Sequence, residues 1–174
     1  SFSRRQRQMC IRDRDSSGCF VFGFSNQIFQ DTSGSLLSGI SHTETTGEYN
    51  ALFGNTQTSL RSKQNLVCGK SNSLTDATNN LITGNSNIVS SSLENITTGK
   101  NNIVTNTNST AVFGSSNTIV NTTNNSIVSG EHHQESNGSN NAHFGRIISA
   151  TSTHNSITSG NDNHIHTGRE SVVF

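Results

Sequence analysis

Glycine stands at positions 23, 39, 54, 69, 84, 99, 114, 130, 145 and 160, in steps of fifteen residues except for two of sixteen, and each one closes a short apolar run. A period this short cannot enclose a core of its own, so every copy must bury its apolar side against the copies before and after it. The pattern predicts an all-β chain, a parallel β-solenoid (β-roll) of about ten such coils with two short strands per coil. Composition by itself argues the other way: 28% hydrophobic residues, no Trp and no Pro describe a polar, disordered tract. Disorder does not require apolar residues to keep to the same columns, and here they do.

Aligned on the glycine, the preceding triplets read Ala51-Leu52-Phe53, Leu66-Val67-Cys68, Leu81-Ile82-Thr83, Ile96-Thr97-Thr98 and Ala111-Val112-Phe113. These are strand-forming residues, and in a strand the first and third share a face. Their sizes compensate, Ala51 with Phe53, Ala111 with Phe113 and Ala142 with Phe144, against Leu36, Leu66, Leu81, Ile96, Ile127 and Ile157 with a Ser, Cys or Thr two residues on. An interior of fixed width demands such compensation, which places this face inside the coil. The middle residues then point outward. Leu37, Leu52, Val67, Ile82, Val112, Val128 and Val173 would form an apolar stripe along the rod, interrupted by Thr97, His143 and Thr158, and the economical way to cover it is self-association.

The second half of each coil carries another apolar signal, Ile28, Leu74, Ile88-Val89, Ile103-Val104, Ile119-Val120 and Ile165, read as the opposing strand. Asn recurs four residues before the glycine at 50, 65, 80, 95 and 141, and three after it at 26, 72, 87, 102, 117 and 163. Asn suits turns, and stacked amides bond to one another at the strand repeat. One coil departs from this scheme: after Gly130, which closes the second sixteen-residue step, Glu131, His132, His133 and Glu135 place charge where the opposing strand belongs, which predicts a protruding loop.

Formal charge is zero and only 13% of residues are charged, so there is no basic field for nucleic acid. No apolar run reaches the roughly eighteen residues a membrane span needs, so no membrane insertion is expected of this fragment. Arg4 to Asp13, RRQRQMCIRD, looks like a translated sequencing adapter; residues 1–14 are set apart as non-native and disordered, and 15–174 are read as a solenoid domain cut short at its C-terminus. Cys19 and Cys68 stand about three coils apart, too far for a disulfide. Carboxylates form no regular pair and no G-x-S-x-G elbow occurs, so catalysis is not expected. His132, His133, Glu131 and Glu135, or His164 with His166, could hold a divalent ion but read more simply as solvated side chains, and no metal or cofactor is assigned.

The motif N-Φ-Φ-x-G with Asn three residues later, as in Asn65-Leu-Val-Cys-Gly69 to Asn72, resembles the head repeat of the trimeric autotransporter adhesins, the YadA-like head, over residues 18–174. The resemblance implies a left-handed β-roll, trimerisation through the outward stripe, a cell-surface or outer-membrane-anchored setting, and attachment to a host or matrix protein or glycan. Ala in that family is replaced here by Asn, Thr and Phe. A phage tail-fibre segment shares the geometry. An ice-binding solenoid is a further alternative, needing Thr-x-Thr in one column; Thr105 with Thr107 and Thr151 with Thr153 fit, whereas Leu60 with Ser62, Thr75 with Ala77 and His166 with Gly168 do not. An enzyme built on a β-helix would require a carboxylate cluster on one face.

Overall fold

A computed structural model describes residues 11–12, 16–29, 31–122 and 124–174. Among these the chain winds as a parallel β-solenoid, with two eleven-stranded parallel sheets facing each other across a narrow interior and no helix. The long strands span the glycine, as in Leu36–Ile40, Ala51–Asn55 and Leu66–Lys70. The short ones follow it, as in Thr43–Thr45, Thr58–Leu60 and Ser73–Thr75. Each strand pairs with its equivalent one coil away, Gly54 on Gly69 and Gly69 on Gly84. At about 4.8 Å per strand the stack is about 50 Å long. A third column of single bridges, among them Glu48 to Lys63 and Lys63 to Thr78, ties the coils together on the far side of the short sheet.

Corners are made by residues in the left-handed region. In one coil Thr56, Arg61 and Gln64 have φ of 54°, 48° and 56°. The recurring glycine serves a different end. Gly84 has φ +114°, and a Cβ there would lie 1.9 Å from the carbonyl oxygen of Gly99, so the glycine column is backbone packed directly on backbone.

Sequence patterning placed the first and third residues of each triplet inside; the structure inverts this. Leu37, Leu52, Val67, Ile82, Val112 and Val128 are 0% exposed and form the core with Leu74, Val89, Val104 and Ile119 from the short strands. They cannot form a trimer stripe. Val173, at the last described coil, is half-buried in the same column. Conversely Phe113 and Phe144 are 38% and 42% exposed, and Phe53 is half-buried on the outer face. The cause is that the long strand is apolar on both faces, so alternation does not mark the inside; the narrow interior takes one side chain from each strand of a coil, Ile82 facing the short-strand column of Val89.

The predicted protruding loop is also absent. Gln134–Ser136 is an ordinary short strand, in register with Thr118–Val120 and Ser149–Thr151. His133 and Glu135 point inward and are buried, while Glu131 and His132 are exposed at the corner. The extra residue is absorbed one corner earlier, where Asn124 and Asn125 are consecutive left-handed residues with φ of 65° and 55°. Of the segment 1–14, the backbone of Ile11–Arg12 adds one strand beside Gln27 and Ile28, and the rest lies outside the described residues.

Candidate functional site

The interior and the outer faces carry different chemistry. Inside, two Asn columns do the work the patterning assigned to them. Asn87 receives on its Oδ1 both the backbone N–H and the amide of Asn102, each at 3.1 Å, while its own amide donates to Thr83 O and to Gly99 O in the next coil, also at 3.1 Å. Asn72 and Asn102 repeat the arrangement, and Asn117 keeps its two amide donations while its Oδ1 receives only the backbone N–H of His133. The second column runs Asn50, Asn65, Asn80, with Asn65 and Asn80 donating amide hydrogens to the Oδ1 beneath at 2.9 and 3.0 Å. The amides of these two columns therefore close polar groups of neighbouring coils, Asn87 and Asn80 those of their own coil and the next at once.

Two coils break the ladder in the same way; sequence reasoning marked only the second as irregular and read it as a loop. The string G-x-x-H-x-E-x-x-G-x-x-N-A-x-F-G occurs at Gly39 to Gly54 and again at Gly130 to Gly145. His42 and His133 replace the ladder Asn. Their Nδ1 accepts the backbone N–H of Gln57 at 3.1 Å and of Ile148 at 3.3 Å, and their Nε2 faces Ser38 O at 3.1 Å and Ser129 O at 3.2 Å, so the neutral Nε2–H tautomer reproduces both bonds of an amide. Burial lowers both imidazole pKa values. Glu44 and Glu135 point into the core, where Oε1 accepts from Asn50 at 2.6 Å and Ser35 at 2.9 Å, and from Asn141 at 2.7 Å and Ser126 at 3.3 Å. Their partners Gly47 and Gly138 leave the room: a Cβ would sit 2.1 Å and 2.3 Å from those oxygens. Desolvation raises both carboxyl pKa values, and each Oε2 is buried without a partner. Above Glu135, His143 has both ring nitrogens buried and unpartnered, 3.9 Å from Oε1, and burial drives its pKa down to about 4. The exact recurrence of the string was the available signal.

Outside, the short sheet presents two columns dominated by small polar and β-branched side chains, such as Thr43 with Thr45, Ser73 with Thr75 and Ser149 with Thr151, and broken by Phe29, Leu60, Gln134 and the His164–His166 pair. Ion pairs join successive coils, Arg61 to Asp76 at a corner through two bonds of 2.7 and 2.8 Å, and Lys63 to Glu48 in the column of single bridges at 2.7 Å. Beside one corner a shallow recess is lined by His132, Gln134, Arg146, Ile147 and His164. His164 and His166 do share an exposed strand face, but no group of three or more potential metal ligands occurs among the described residues. Thr107 and Thr153 are buried, so the columns inspected for ice binding are not one outer face. No helix among the described residues is long and apolar enough to cross a membrane.

No protein-family model matches the chain, and no curated protein matches it. Among solved structures it is similar to the polySia specific acetyltransferase NeuO, at 13% identity and a TM-score of 0.27, over 92% of this chain and 72% of that one. One expectation is corrected by this. The lack of paired carboxylates had set catalysis aside, yet the matched structure is by its title an acetyltransferase, so that exclusion is withdrawn. A similarity this low assigns no reaction in its place. What stands of the resemblance to adhesin heads is the solenoid of fifteen-residue coils.

Proposed function

We propose that the chain is a rod-like surface module that attaches to an extended neutral polysaccharide through the outer face of its short sheet. The supporting observation is repetition: six of the ten short strands from Gln27–Phe29 to His164–His166 set out outward pairs made of hydroxyl and β-branched side chains alone, in strict register, and the Arg61–Asp76 and Lys63–Glu48 ion pairs lie outside these columns. Spacings of about 4.8 Å between coils and about 6.7 Å between the two columns suit a ligand with its own repeat. Individually weak contacts sum along the rod by multivalency. The resemblance of the N-Φ-Φ-x-G repeat to adhesin heads supports the same setting, an extracellular surface, bacterial or that of a virion.

Retention of the purified chain on cellulose tests this. Thr58→Lys, Ser73→Lys and Thr118→Lys, each at an outward strand position, should weaken retention singly by about fivefold and together by about a hundredfold, since the losses multiply. Equal retention of the triple variant and the parent overturns the proposal.

A second reading rests on the same face. The pairs Thr43-x-Thr45, Ser73-x-Thr75 and Ser149-x-Thr151 are the outward Thr-x-Thr-like pairs the structure contains, in place of those that cross a corner. A hydroxyl and methyl lattice fits an ice surface. Thermal hysteresis that disappears in the triple variant would favour ice over polysaccharide; its absence in the parent removes this reading.

A further inference from the structure

The outer face of the long sheet is unlike the rest of the surface. From Leu36 to Ser159 the two columns before the glycine contain no charged residue and no amide, and Leu66, Ile96 and Ile157 are 41%, 40% and 47% exposed; the strand ends after the glycine, among them Lys70, Lys100, Glu131 and Arg146, form a polar margin along one edge. The size compensation noted in the sequence lies on this face: Ala51 goes with Phe53, Leu66 with Cys68, Ile157 with Ser159. Solvent imposes no volume constraint, so an exposed face of a lone rod has no reason to keep it. A packed face does.

We propose that this face binds a second copy of the chain, side by side, parallel and at the same height. A rotation axis parallel to the rod keeps every coil level with itself and brings the residue three before each glycine against the residue one before it in the partner. Ala then meets Phe, and Leu meets Cys, at each level, and the gap between the copies stays constant. An antiparallel pair would set Phe rows against Leu and Ile rows from other levels, and compensation within a row would serve nothing. The area suffices: about 50 Å by about 12 Å is about 600 Å² per copy, or about 1,200 Å² in all, within the range of specific interfaces. Two-fold and three-fold axes both satisfy the matching, so the trimer that the adhesin resemblance implied would use this face in place of the buried stripe, and the copy number is read by experiment. This pairing is independent of attachment through the short sheet, so either can fail alone.

Cys68 supplies the probe. In a Cys10→Ser, Cys19→Ser background, Leu66→Cys places a thiol opposite Cys68 of the second copy. Mild oxidation should give an inter-chain disulfide between positions 66 and 68, at twice or three times the chain mass on a non-reducing gel, whereas Ile157→Cys, six coils away, should give none. Sedimentation of the unsubstituted chain should show the same multiple, and Leu81→Lys with Ile96→Lys should return it to the monomer with its melting transition retained. A monomer at millimolar concentration overturns the proposal, as does cross-linking through Ile157→Cys in place of Leu66→Cys.

Discussion

At the residue scale, the interior is a set of columns in which hydrogen-bonding capacity matters more than side-chain identity. His substitutes for Asn at positions 42 and 133 because a neutral imidazole can accept from one backbone group and donate to another. Thr97 shows the opposite case: its hydroxyl is fully buried in a column of Val, Leu and Ile and has no partner. Thr97→Val keeps the shape and removes that hydroxyl, so it should stabilise by about 1–2 kcal/mol, raising Tm by roughly 2–6 °C in a thermal melt. Glu135 yields a pH dependence. Its carboxyl pKa is raised in the folded chain from the ordinary 4.5. The folded state thus holds the proton more tightly, and the stability this confers is complete below pH 4.5 and lost as pH climbs through the folded value. Glu135→Gln keeps an acceptor for Asn141 without the charge, so it should melt higher than the parent at pH 8, with the gap closing below pH 4.5. His143 acts in the other direction: its pKa falls from 6.5 to about 4, so stability is lost as pH drops through that interval. His143→Leu, matching Leu52 in the sister coil, should remove this acid-side loss when Tm is followed from pH 7 to 4. The Asn columns were legible in the sequence because Asn is rarely repeated without cause. The buried acids were not, since Glu and His in a polar chain read as solvated, and their burial becomes evident only through the paired Gly47 and Gly138.

At the element scale, each coil is held by backbone bonds to the next and by the close approach of glycine to glycine. Gly84→Ala puts a methyl group against Gly99 at a φ that L side chains rarely adopt, so strain and overpacking together should cost about 3–5 kcal/mol. Because coils contact only their neighbours, that loss falls in mid-rod and should split the urea transition into two steps, seen by circular dichroism. Strand positions and period were readable from Gly, Asn and the apolar runs. The inward face of the long strand was not, because Leu66, Val67 and Cys68 offer no polar residue to mark the outside, and size compensation between copies resembles compensation within a core.

At the scale of the whole molecule, the faces differ: a ladder-lined interior, a long-sheet face with two apolar columns, proposed to meet a second copy, and a short-sheet face rich in hydroxyls, proposed to meet a repeating ligand. The solenoid architecture followed from the spacing of ten glycines alone. Which face does what needed the coordinates, because period sets the winding and leaves rotation of each strand about its axis open. That rotation is what matters most, and thiol labelling tests it directly. Leu81→Cys, Ile82→Cys and Thr83→Cys are made in a chain with its native cysteines replaced by Ser, and their rates with a maleimide are compared under native conditions at high dilution. The first and third should react readily and the middle one at least a hundredfold more slowly until urea is added. A fast Ile82→Cys flanked by two slow neighbours would contradict the fold as described and return the middle column to the surface.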